Sequence, residues 1–138
     1  MSYEYKHFCI DELVDKHTLL SLGEENCWKL FDTKALKAID QLREEFGSVT
    51  INSWKWGGSS QWRGFRTQNC GIGASRSMHK VGKAFDLSFK NYTAEEVRKK
   101  IKKNESFWTQ YISRIENNVS WLHIDVKETE TPIRWFNP

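Results

Sequence analysis

Two short stretches of alternating character constrain this chain more than anything else in it. In Ala84-Phe85-Asp86-Leu87-Ser88-Phe89 the apolar Phe85, Leu87 and Phe89 fall on one face of an extended chain, and Asp86 and Ser88 fall on the other. In Leu122-His123-Ile124-Asp125-Val126 the same period sets Leu122, Ile124 and Val126 against His123 and Asp125. A period of two predicts half-buried strands, and two such strands can present their polar groups to one cleft.

Just before the first strand, Ser75-Arg76-Ser77-Met78-His79-Lys80-Val81-Gly82 adds a second imidazole. Gly82 lets the backbone turn between His79 and Asp86 with no side chain in the way. Two imidazoles and a carboxylate are a borderline-soft nitrogen and oxygen donor set. With a fourth position left to water, that is the ligand set of a catalytic rather than a structural zinc. His79, Asp86 and His123 are therefore the candidate metal ligands, for one Zn2+ per chain. The spacing alone also fits a hydrogen-bonded His and Asp pair.

The string Ser77-x-His79-x-x-Gly82-x-Ala84-x-Asp86, followed by Trp121-x-His123-x-Asp125, resembles the motifs of the D-alanyl-D-alanine carboxypeptidase-like zinc peptidases. That family includes the vancomycin-resistance D,D-peptidases and many phage endolysins, and it shares its metal fold with the hedgehog signalling domain. Gly64-Phe65-Arg66-Thr67 is similar to the family's Gly-Tyr-Arg-Ser segment, so the likeness runs from about Ser48 to Val126. The resemblance implies a zinc peptidase of bacterial peptidoglycan stem peptides, cutting a D-Ala-D-Ala or L-Ala-D-Glu type bond, as a phage or prophage lytic enzyme. It implies Arg66 as the residue that positions substrate, a role suited to a guanidinium facing a carboxylate. Ser77 would contact substrate or support the metal turn.

The general base is where the sequence departs from the pattern. In much of the family it is an Asp or Glu three positions before the last histidine, and here that position is Ser120. Two carboxylates can stand in. Asp125, the preferred one, projects to the same face as His123, about 7 Å along the strand. Glu116 precedes the Asn117-Asn118 turn and can fold back toward the metal. Asp125 also suits a partner that orients a ligand histidine, or a metal ligand with His123 as the base. With no base at all, the chain would be a catalytically silent zinc-binding module, a phage structural or wall-binding part.

At 138 residues the chain is long enough to bury about 70% of its unfolded surface, so one domain is expected, with a helical segment over 1–47 and a motif-bearing core over 48–138. The net charge of +3 is too mild to argue for nucleic acid, although the tryptophans and arginines of 54–66 would be its platform. It suits approach to an anionic wall polymer. Three cysteines, Cys9, Cys27 and Cys70, with no Cys-x-x-Cys spacing argue against a disulfide framework or a thiolate zinc knot. Met1 to His7 hold no apolar leader, and no stretch nears the length of a membrane span. The expectation is a monomer made in the bacterial cytoplasm without a signal peptide, acting at the cell wall after release or as a virion component.

The remaining elements follow from pattern. Short helices broken near Gly23 are expected over 8–31, with acidic residues and His7 and His17 at solvated ends. A capped helix is predicted over Thr33 to Phe46, and a first central strand over Val49 to Trp54. A long ordered loop follows to Arg76, with Trp54, Trp56 and Trp62 divided between core and groove. Thr93-Ala-Glu-Glu96 is a capping box opening a helix to about Lys103. The tail Pro132 to Phe136 returns to cover an edge. Helices flanking a small, mainly antiparallel sheet give an α+β fold.

Overall fold

The computed structural model describes residues 7–74, 76–129 and 132–138. Residues 1–6, on which the expectation of a leaderless chain partly rests, lie outside these, as does Ser75. No helix among the described residues is long and apolar enough to cross a membrane.

The chain begins with two short helices, α1 (Lys16–Leu22) and α2 (Glu24–Trp28). They are separated at Gly23, whose φ of 80° ends the first and starts the second. The Asp15 carboxylate caps α1 by accepting from the Thr18 amide, and Asp32 caps α3 (Thr33–Phe46) by accepting from the Lys34 amide. Helix α3 buries Leu36, Ile39, Leu42 and Phe46 along one stripe. Helix α4 (Ala94–Lys103) opens with the reciprocal bonds of a capping box: Thr93 accepts from the Glu96 amide, and Glu96 accepts from the Thr93 amide. A one-turn α5 (Glu105–Trp108) follows.

Among the described residues five strands form one sheet: β1 (Val49–Thr50), β2 (Ala84–Phe89), β3 (Arg114–Glu116), β4 (Leu122–Asp125) and β5 (Arg134–Phe136), in the order β1-β2-β4-β3-β5. All pairs are antiparallel except β3 with β5. The fold is α+β. The sheet's core face carries Phe85, Leu87, Ile115, Leu122 and Ile124, all buried beneath α3 and α4. Each such side chain contributes about 1.5–3 kcal/mol of burial. Asp86, Glu116, His123 and Asp125 alternate with them.

One expectation changes. The strand predicted over Val49 to Trp54 as a central one is two residues long and sits at the sheet edge. Past Thr50 the backbone turns to the N-terminal segment instead: the Asn52 amide donates to Glu12 O (2.9 Å), and Trp54 Nε1 donates to Val14 O (2.8 Å). The tail does cover an edge, as a strand paired in parallel with β3. The loop between is ordered by long-range bonds, from the Phe65 amide to Leu13 O (2.8 Å) and from the Arg66 amide to His79 O (3.1 Å).

Gly82 ends the 3-10 turn Met78–Val81 with φ of 68° and presses on the backbone of residues 30 and 31. A Cβ there would lie 1.9 Å from Leu30 O. Gly57 also has a positive φ, 85°, yet a Cβ there would meet nothing within 4 Å. Gly82→Ala should thus cost more than about 2 kcal/mol in urea unfolding, and Gly57→Ala only the left-handed strain of about 1 kcal/mol. Equal costs would contradict this packing.

Candidate metal centre

The register of β2 against β4 places Asp86 directly opposite His123. The Asp86 amide donates away from β4, to Arg63 O (2.7 Å). The two residues are thus a pair without mutual backbone bonds, the kind in which side chains approach most closely. His123 Nδ1 lies 2.8 Å from Asp86 Oδ1. The turn before β2 carries His79 to the same carboxylate oxygen, with Nε2 3.3 Å from Asp86 Oδ1. One donor atom from each of the three residues lies within 4.8 Å of the others.

Each imidazole is oriented by what its other nitrogen touches. His79 Nδ1 donates to Gly64 O (2.8 Å), an atom that can only accept, which turns Nε2 toward Asp86. His123 Nε2 donates to Asp125 Oδ2 (3.0 Å), which turns Nδ1 toward Asp86. Arg66 Nη2 holds the outer oxygen of Asp86 at 3.3 Å, leaving Oδ1 to the two rings. Donor type, orientation and closeness all fit a divalent cation of the zinc class.

The charges agree with that arrangement. Burial would raise the Asp86 pKa, but hydrogen bonds from His123 and His79 hold its carboxyl well below the usual range. Burial would lower the His123 pKa, yet Asp125 and Asp86 outweigh it and push it up to about 9. Asp125 likewise stays ionised, its burial outweighed by His123 and Arg114.

These residues line a cleft of about 510 Å³ that also takes in Arg66, Ser77, Arg114, Glu116, Trp121 and Phe136. Ser77 supports the turn, its hydroxyl accepting from the His79 amide (3.2 Å). Arg66 is buried, with Nε donating to Trp62 O (2.7 Å) and Nη1 reaching Ser77 Oγ (3.5 Å). Glu116 follows the β3 register across from His123 and lines the cleft. Asp125 sits beneath it, fully buried. Its oxygens accept from Arg114 Nε (2.9 Å) and Nη2 (2.7 Å), from the Lys127 amide (3.2 Å) and from His123. Ser120 is exposed and does not line the cleft.

Sequence reasoning passed over Arg114 and Phe136. The Arg114 guanidinium stacks 4.5 Å from the Phe136 ring, and that ring meets His123 edge-on with centroids 5.8 Å apart. The tryptophan at the cleft is Trp121, whereas Trp54, Trp56 and Trp62 do not line it.

Comparisons with known proteins agree with this geometry. The sequence profile of one family, Peptidase M15, matches residues 6–125 and so spans both histidines and the aspartate between them. No curated protein and no solved structure gives a significant match. By the extent of the profile match, the chain belongs to the Peptidase M15 family of metallopeptidases.

Proposed function

We propose that the protein is a zinc-dependent hydrolase of peptidoglycan stem peptides, with His79, Asp86 and His123 as the metal ligands and Glu116 as the general base. The observation that carries this is the convergence of three pre-oriented donors on one point in a cleft that also holds Glu116, a carboxylate with no hydrogen-bond or ion-pair partner among the described residues. Held by those three residues, a zinc ion would supply a bound water with its pKa lowered toward about 7 and a Lewis acid for the scissile carbonyl.

The chain's own residues do the rest. Glu116 takes the proton of the attacking water and passes it to the leaving amine, and its place across from His123 puts it beside the ligands. Asp125 is unsuited to that exchange, because Arg114 and His123 already occupy its oxygens and it lies under the cleft floor. Its part is to fix the His123 tautomer. Arg66 restrains Asp86 and offers its cleft edge to the substrate, and Ser77 holds the turn that carries His79. A lytic role for a phage or prophage follows from the same substrate class, as an enzyme that reaches the wall after release or within a virion.

Two outcomes test these assignments. Glu116→Gln should lower kcat on purified peptidoglycan by about 10²–10⁴-fold, with zinc content unchanged. Asp125→Asn should weaken zinc binding about 10–100-fold. The reverse pattern, activity lost at Asp125 with metal intact and little effect at Glu116, would exchange their roles. If no wall type yields new amino or carboxyl ends, the chain is a silent zinc module.

In the ion-free protein His123 keeps its proton until about pH 9, held by Asp125 and Asp86. Zinc needs the neutral ring, so binding at pH 7 should release about one proton from this histidine, and affinity should rise roughly tenfold per pH unit until the His123 pKa is reached. Calorimetry in buffers of different ionisation enthalpy reads this directly. A binding heat independent of the buffer would contradict His123 as a ligand.

A further inference from the structure

Besides the two histidines, the cleft is lined by four cationic side chains, Arg66, Arg76, Arg114 and Lys127, against two carboxylate side chains, Asp86 and Glu116. Two of the cations are already neutralised. Arg66 meets Asp86 at 3.3 Å, and Arg114 meets the buried Asp125 at 2.7 Å. Arg76 and Lys127 are exposed, and among the described residues neither side chain has a hydrogen-bond or ion-pair partner. They come from the two segments that carry the histidines. Arg76 stands three residues before His79, and Lys127 continues the period of His123 and Asp125 just beyond β4.

Two cations that line one cleft without a partner among the described residues are free to meet an anion there. Among the described residues neither side chain bonds to His79, Asp86 or His123 or to the groups that orient them. A guanidinium and an ammonium together match a carboxylate, the first through paired N–H groups and the second as a point charge. We infer that Arg76 and Lys127 form a subsite for a carboxylate of the peptide substrate, and so select acidic peptides over their amidated forms. This rests on the peptidase reading above. Lys127 lies four residues along the chain from His123, at most about 13 Å, so with the reach of its side chain the carboxylate it meets belongs roughly one or two residues from the scissile bond. Two carboxylates of a stem peptide satisfy that chemistry: the chain-terminal one, as in an exopeptidase, and that of an internal acidic residue, as in an endopeptidase.

The test uses one synthetic stem pentapeptide ending in D-Ala-D-Ala, made in four forms, with the terminus as acid or amide and the internal residue as D-glutamate or D-isoglutamine. Binding is titrated by NMR on zinc-loaded Glu116→Gln protein, in which turnover is suppressed, and cleavage is followed with the unaltered protein. Loss of the recognised carboxylate should weaken binding about tenfold. The penalty should shrink in high salt, as for any exposed ion pair. Adding Arg76→Gln and Lys127→Gln should remove the discrimination, whereas Lys127→Arg, which keeps the charge, should retain it. A penalty for the amide assigns the subsite to the chain terminus, and a penalty for isoglutamine assigns it to the internal acid. Cleavage by the unaltered protein with equal binding of all four forms, or a discrimination that survives the double substitution, overturns the subsite and leaves the peptidase. Charge-dependent binding that requires Arg76 and Lys127, without cleavage of any form, keeps the subsite and overturns the peptidase.

Discussion

The centre depends on the pairing of β2 with β4 in one register. Asp86 faces His123 across that pair, and the same strands turn Phe85, Leu87, Leu122 and Ile124 into the core. A slip of either strand by one residue would expose its two apolar side chains and move the carboxylate and the imidazole to opposite faces. The hydrophobic effect thereby holds a polar geometry that it does not itself favour. The apolar face sets the register, and the register brings two strongly polar groups within hydrogen-bond distance.

On that frame, each donor is aimed by a partner outside the cluster. Gly64 O fixes the His79 ring, Asp125 fixes the His123 ring, and Arg66 fixes the Asp86 carboxylate. Arg114 in turn fixes Asp125 and is backed by Phe136, so the tail strand supports the centre from behind. Without a cation, the two imidazoles and the carboxylate bond one another, and His123 is held as an imidazolium. The cluster is pre-organised at the cost of a proton that any metal must displace.

The clustering of His79, Asp86 and His123 and the β2–β4 pair beside it were legible because they combine a strict period of two with residue types of restricted chemistry. Helices α3 and α4 were legible through their caps at Asp32 and Thr93. The Val49 to Trp54 segment misled, since its β-branched residues suit a strand while the Asn52 amide bonds to Glu12 and the Trp54 indole to Val14, a long-range preference that no local pattern records. Strand β3 is three residues long, too short for a periodic signal, and this hid Arg114 and made Glu116 hard to place. The balance between Asp125 and Glu116 could not be struck from spacing, because both strands offer a carboxylate to the same face. What distinguishes the two is that Asp125 is fully buried and bonded to Arg114, whereas Glu116 lines the cleft. Aromatic richness was also ambiguous. The cleft uses Trp121 and Phe136, while the cluster of tryptophans in the long loop lies elsewhere.

Zinc-edge X-ray absorption of the reconstituted protein tests the central claim most directly. The account predicts one zinc per chain in a shell of nitrogen and oxygen donors at about 2.0–2.2 Å, with two imidazoles in the outer-shell scattering. A sulfur shell at about 2.3 Å would place the metal on Cys9, Cys27 or Cys70 and contradict it.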